Sequence, residues 1–220
     1  MKTKRGKGMR FIINNQGFTL IEMAIVLIII GIIIGAVVKG KDLVRSAEQK
    51  RLYSKFVSSW ELAYNSYYDR TGWILGDVND TDNGATAGGR DGHCSTASET
   101  NIVSQLQRVG LEPPGAGPTG SRVTRTYTGS QGNSYELNIS FDYRAAAGNY
   151  IRVYGSAGGN GIPAELGMAW DRIIDEQRDG TAGDLLYTAD YTGSPLGFGT
   201  WPDATAATVA LSAAILRLSF

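Results

Sequence analysis

Few side chains in this sequence have the types and spacing that chemistry needs. The one histidine, His93, stands directly beside the one cysteine, Cys94. Adjacent side chains on an extended chain point in opposite directions, so the two make a poor nucleophile–base pair. A metal site built on them would lack a second histidine or cysteine. No Gly-x-Ser-x-Gly, P-loop or dinucleotide fingerprint is present. The 21 carboxylates are an ordinary number for 220 residues, and no enzymatic activity is expected. Calcium is the more plausible chemistry, because it takes six to eight oxygen ligands. Two glycine-punctuated loops offer them: one holds Asp77, Asn79, Asp80, Asp82 and Asp91, the other Asp175, Asp179 and Asp184. Neither fits the EF-hand template, since the twelfth position counted from Asp77 is Gly88 and from Asp80 is Asp91. Asp, Asn and Gly are also what any solvated turn uses, so a bound ion and a plain turn stand as alternatives. No cofactor is required.

The remaining chemically loaded residue is Glu22. From Phe18 to Val38 it carries the only charge in an otherwise apolar run. As a helix that run spans roughly 31 Å, close to the hydrocarbon thickness of a bilayer. A buried strand is the competing reading, but strands rarely exceed about ten residues and no turn residue divides the run. Phe18 and Glu22 are four apart and share a helix face. Ahead of the run lie Lys2, Lys4, Arg5, Lys7 and Arg10 with no acidic residue, which places the amino terminus in the cytoplasm. An ordinary secretory signal has its small-residue cleavage site after the apolar region. Here the conspicuous glycine, Gly17, stands before it.

Gly17-Phe18-Thr19-Leu20-Ile21-Glu22, with its basic leader and unbroken apolar run, resembles the prepilin signal of type IV pilins and type II secretion pseudopilins. The resemblance implies that a prepilin peptidase cuts between Gly17 and Phe18 and that Phe18 is N-methylated. It implies that the apolar helix is retained. Its partners would be further copies of the chain in a helical filament, the inner-membrane assembly machinery, other pilins or pseudopilins, and membrane lipid. Cutting after Gly17 would create a cationic amine on Phe18, within reach of Glu22 or of a neighbour's Glu22, which makes Glu22 the expected assembly residue. Many pilins carry a proline just after the membrane half; this chain has Lys39 in that region, leaving Gly31, Gly35 and Gly40 as points where the helix can loosen. Some secretion pseudopilins bind calcium in an acidic loop, which favours the ion at one of the two loops above.

The charge balance agrees with a non-nucleic-acid role. Without residues 1–17 the chain has 16 basic and 21 acidic residues, a net −5, and no basic patch fit to neutralise phosphates. A single cysteine allows no internal disulfide, so stability must come from packing.

From Lys39 the pattern becomes that of an amphipathic helix, with Leu43, Ala47, Tyr53, Phe56, Val57, Trp60, Ala63, Tyr64 and Tyr67 recurring at spacings of three, four or six. The periodicity predicts one continuous helix from about Thr19 to Arg70, ended by Thr71-Gly72. Its aromatic stripe, Tyr53 to Tyr68, is the expected seat on a sheet. Residues 72–120 read as loop-rich, with a short helix over Glu99–Val109. Strands are expected at Arg122–Tyr127, Tyr135–Tyr143 and Tyr150–Tyr154, a second helix at Pro163–Asp175 and a closing strand near the end.

The expected architecture is α+β and pilin-like: a long N-terminal helix packed on an antiparallel sheet, with loop-rich insertions and short extra helices. Residues 1–17 form the leader, 18–40 the membrane or filament-core helix, 41–71 its amphipathic continuation and 72–220 the globular head. The implied function is that of a filament subunit, with pseudopilin or minor pilin as the alternative within the family. A membrane-anchored binding module that never polymerises is the alternative from another class. The expected location is the inner membrane before assembly, then a periplasmic or surface filament.

Overall fold

Helical backbone occupies Leu20–Thr71. It is built as α1, Leu20–Leu52, one π-helical turn over Tyr53–Val57, and α2, Ser58–Thr71. The computed structural model describes residues 17–77, 91–94, 98–145, 147–155, 162–188, 197–202 and 213–218. The chain divides into two units, Met1–Arg45 and Ser46–Phe220. α1 runs unbroken through Gly31, Gly35 and Gly40, so the irregularity lies at Tyr53–Val57 rather than at the glycines. A π turn replaces i→i−4 bonds with wider ones and leaves carbonyls seeking other donors. Ser59 Oγ lies 3.0 Å from the Lys55 carbonyl and 3.0 Å from that of Phe56, sharing its proton between them. The stretch ends as expected at Gly72, whose left-handed φ of 70° lets its N–H donate to the Tyr68 carbonyl at 2.7 Å.

In the second unit α2 lies against a five-stranded antiparallel sheet. Its strands are β1 (Thr124–Thr128), β2 (Ser134–Arg144), β3 (Gly148–Gly155), β4 (Leu185–Thr188) and β5 (Ala213–Arg217), in the spatial order β1-β2-β3-β5-β4. Two hairpins build one edge, Thr128 opposite Ser134 and Arg144 opposite Gly148. β5 then inserts between β3 and β4. β1, β2, β3, the closing strand β5 and both short helices fall where the sequence pattern places them, the helices as α3 (Glu99–Arg108) and α4 (Ala164–Ile174). β4 was not expected: its four residues are all buried, so it shows no alternation to read.

Alternation along β2 and β3 puts Leu137, Ile139, Phe141, Ile151 and Val153 into one core with Phe56, Trp60, Tyr64 and Tyr67. Trp60 meets the Phe141 ring edge-on at 5.8 Å, and Tyr64 stacks on it at 6.0 Å. Tyr53 and Tyr68, the remaining stripe residues, are half-buried at its margin. Buried polar ends find partners, as low dielectric demands. Trp60 Nε1 donates to the Arg122 carbonyl, and Trp170 Nε1 to that of Gln49. Gln49 Nε2 donates to the Tyr127 hydroxyl, which donates in turn to Glu165. A smaller cluster of Tyr150, Leu186 and Ile215 is separate from this core.

Asp171 of α4 is fully buried. Its Oδ2 accepts from Trp201 Nε1 at 2.7 Å and from the Gly180 N–H at 3.2 Å, while Oδ1 has no partner among the described residues. The Trp201 ring lies so close over Gly167 that any Cβ there would overlap it. Burial pushes the Asp171 carboxyl above its ordinary value, and the bonds from Trp201 and Gly180 offset this only in part. A carboxyl raised in the folded state favours folding when protonated and opposes it once pH rises through the unfolded value toward the folded one. Asp171→Asn keeps an acceptor for both donors and removes the ionisation. We therefore expect this variant to gain thermal stability relative to wild type as pH rises from about 3 to 7, while Asp171→Ala loses about 1–3 kcal/mol throughout. Melting curves of both variants across that range check it.

Candidate functional site

The start of α1 is closed by a reciprocal pair. Thr19 N–H donates to Glu22 Oε2 at 2.8 Å and the Thr19 hydroxyl donates to the same oxygen at 2.7 Å, while the Glu22 N–H reaches back to Thr19 Oγ1 at 3.3 Å. This is the Thr-x-x-Glu capping box, which satisfies donors that a helix start leaves open. Reading Glu22 only against the Phe18 amine overlooks Thr19, although the Thr-Leu-Ile-Glu spacing carries the signal. The box draws the Glu22 carboxylate back toward the point where the chain enters the helix.

Behind the box every side chain from Phe18 to Val38 is exposed, and the most apolar 18-residue window has a mean hydropathy of 3.0 with none of it buried. Leu20 is 93% exposed and Ile32 67%, on different sides of the helix. A helix apolar on all faces demands either lipid or other apolar helices around it. By length and composition it can cross a membrane. Gly31 and Gly35 have nothing within contact distance of a would-be Cβ. Their four-residue spacing leaves bare backbone on one face, where helices can approach closely in lipid.

The other candidate residues fall into separate places. Cys94 is fully buried, with Sγ 3.4 Å from the Leu75 carbonyl, and burial pushes its thiol far up. His93 instead stacks on Tyr143 at 3.5 Å and sets Nδ1 3.2 Å from Asp91. The two neighbours thus point into different surroundings. Asp77 is buried and accepts from the Gly92 N–H; Asp91 accepts from the His93 N–H. Asn79, Asp80 and Asp82 lie outside the described residues. In the second loop both oxygens of Asp175 accept backbone N–H groups, from Asp184 and Leu185, and Asp179 Oδ1 accepts those of Thr181 and Ala182. Among the described residues no three His, Cys, Asp or Glu side chains converge as metal ligands would. The structure adds Glu61 of α2, whose carboxyl is pushed up by burial and by Asp184. Helical spacing alone gives no sign of that neighbour, because it arrives from a distant loop.

Residues 13–38 match the family model described as the prokaryotic N-terminal methylation motif. That motif marks type IV pilin- and pseudopilin-like proteins. Together with the long N-terminal helix and the antiparallel sheet, it makes this chain a prepilin-like protein with a pilin-like α+β fold. Such proteins are typically structural rather than enzymatic. No curated protein and no solved structure matches the chain.

The capping box yields a direct test. Removing a threonine N-cap costs a helix start about 1 kcal/mol. Thr19→Ala in detergent micelles should therefore raise amide exchange of Glu22 and Met23, the first bonded amides of the helix, roughly fivefold over wild type. Exchange beyond the second turn should stay unchanged, which NMR reads residue by residue.

Proposed function

We propose that this chain is a filament subunit. It is cut between Gly17 and Phe18, is N-methylated at Phe18, waits in the inner membrane, and polymerises by bundling its apolar helices with those of other copies. The observation that carries this reading is the position of Glu22. Its Oε2 lies 2.8 Å from the Thr19 nitrogen, one residue from the nitrogen that cleavage would free. An amine created at Phe18 is then born beside a carboxylate, and the pair travels as a near-neutral unit into an apolar bundle. Burying either charge alone is strongly unfavourable. The exposed apolar run from Phe18 to Val38 supports bundling as the second half of the mechanism, since outside lipid only other apolar helices keep that surface from water.

Two substitutions separate the steps. Gly17→Lys blocks the small-residue approach a peptidase cleft needs, so mass spectrometry should find only uncut precursor in the membrane. Glu22→Val removes a charge from an apolar helix and so should insert and be cut normally. The processed protein should nevertheless give few or no filaments, because the Phe18 cation is left without its partner. Wild-type filament yield from cells making only the Glu22→Val chain would refute this role. An abundant shed fibre made of this chain would mark a major subunit. Processed wild-type protein that stays monomeric on the membrane would point instead to an anchored binding module.

A further inference from the structure

A groove of about 530 Å³ between the Ser46–Lys50 stretch and α4 is lined by three cations and no carboxylate. Lys50 comes from the long helix, Arg172 from α4 and Arg178 from the chain just beyond it. None of the three makes a hydrogen bond or ion pair among the described residues. They gather against the overall sign of the unit, since residues 46–220 hold 13 basic and 19 acidic residues. Like charges sharing a concavity repel until an opposite charge enters it. The carboxylates nearest in sequence are turned elsewhere. Asp171 Oδ2 accepts from Trp201 Nε1 and the Gly180 N–H, Asp175 from the N–H groups of Asp184 and Leu185, and Asp179 from those of Thr181 and Ala182.

The fold holds the walls of this groove in place. Trp170 Nε1 donates to the Gln49 carbonyl at 3.1 Å, which ties α4 to the helix that carries Lys50. Past α4 the chain turns through Glu176 at φ 61°, the one positive φ outside glycine among the described residues. A left-handed residue after a helix is ordinarily glycine, and strain of this kind gathers at functional sites. Here the strained turn precedes Arg178, which lines the same groove as Arg172.

We propose that this groove binds a small molecule bearing a diphosphate. Guanidinium forks take phosphate oxygens two at a time, and a lysine adds a point charge. Three cations exceed what a phosphomonoester neutralises at its charge of about −1.5 to −2, so linked phosphates fit better. The volume lies within the range of small-molecule sites, about 300–1,000 Å³. Ser46 and Ile173 give the rest of the ligand a polar and an apolar footing. A long phosphate polymer would run out of the groove into the field of a net acidic unit, which repels it. One chain carries the whole groove, so binding requires no filament.

The test titrates inorganic pyrophosphate into the full-length chain in uncharged detergent micelles, free of divalent metal, and reads binding by calorimetry. One site per chain should saturate. Arg172→Gln with Arg178→Gln should weaken it about tenfold or more, as the loss of two charge-assisted contacts implies. Arg51→Gln with Lys55→Gln removes the same charge from the other groove beside the helix, toward Gly115 and Pro118. That variant should hold affinity within about twofold, since exposed charges outside the site are screened. Absence of saturable binding, or equal weakening by both variants, overturns the proposal. If the Arg172 and Arg178 variant is not recovered folded, Lys50→Gln decides: several-fold weaker binding supports the site, and unchanged affinity overturns it. Competition then separates the sources of the ligand. Displacement of pyrophosphate by a soluble diphosphate ester places it in solution, and displacement by vesicles carrying a diphosphate-headed lipid places it in the membrane; either supports the site. Displacement by neither means an adventitious ion only and overturns the proposal, as does tighter binding of a DNA oligonucleotide.

Discussion

The grip of Trp60 and Tyr64 on Phe141 is the contact on which the head depends. One ring comes from the centre of the sheet and two from successive turns of a helix, so the contact fixes how far along the sheet the helix sits and which face it presents. Fully buried aromatic side chains contribute most of the apolar burial in a core of this size, and truncating one typically costs about 3–5 kcal/mol. The polar ends of the surrounding rings then determine the rest. Trp60 reaches the backbone ahead of β1, and Trp170 reaches back from α4 to the helix carbonyl of Gln49. With one cysteine in the sequence there is no disulfide to share the task.

The π turn lies within this arrangement. Gln49 must face Tyr127 and Trp170, while Phe56, Val57 and Trp60 must all enter the core. At about 100° per residue a regular α-helix already holds these positions within an arc of about 100°, so their spacing does not by itself demand the wider turn. Widening one turn re-aims the segment beyond it, and Ser59 takes up the carbonyls that the widening exposes.

Most of this fold was legible because it obeys simple periods. The aromatic spacing Phe56, Trp60, Tyr64, Tyr67 announced the buried helix face, and alternation in Tyr135–Tyr143 announced β2, the longest strand. What stayed hidden is what depends on distant partners. Leu185–Thr188 becomes a strand because β5 lies beside it, and the sheet order cannot be inferred from strand lengths. The π turn leaves no trace in a pattern whose spacings of three and four are common to any amphipathic helix. At the candidate site Gly17, Phe18 and Glu22 were legible from types and spacing. The role of Thr19 was equally available in the capping-box signature, yet the apolar context drew attention to charge rather than to hydrogen bonding. Glu61 beside Asp184 was out of reach, since 123 residues separate them in the chain.

The buried thiol has a use beyond packing. Cys94 is the one sulfhydryl in the sequence and is wholly shielded, its proton held toward the Leu75 carbonyl and its ionisation suppressed. Alkylating reagents attack the thiolate and need a path to it. The rate at which such a reagent marks this chain therefore measures how often the head opens around Leu75 and Tyr64. The chain thus carries an internal clock of its own breathing, readable without introducing a foreign label.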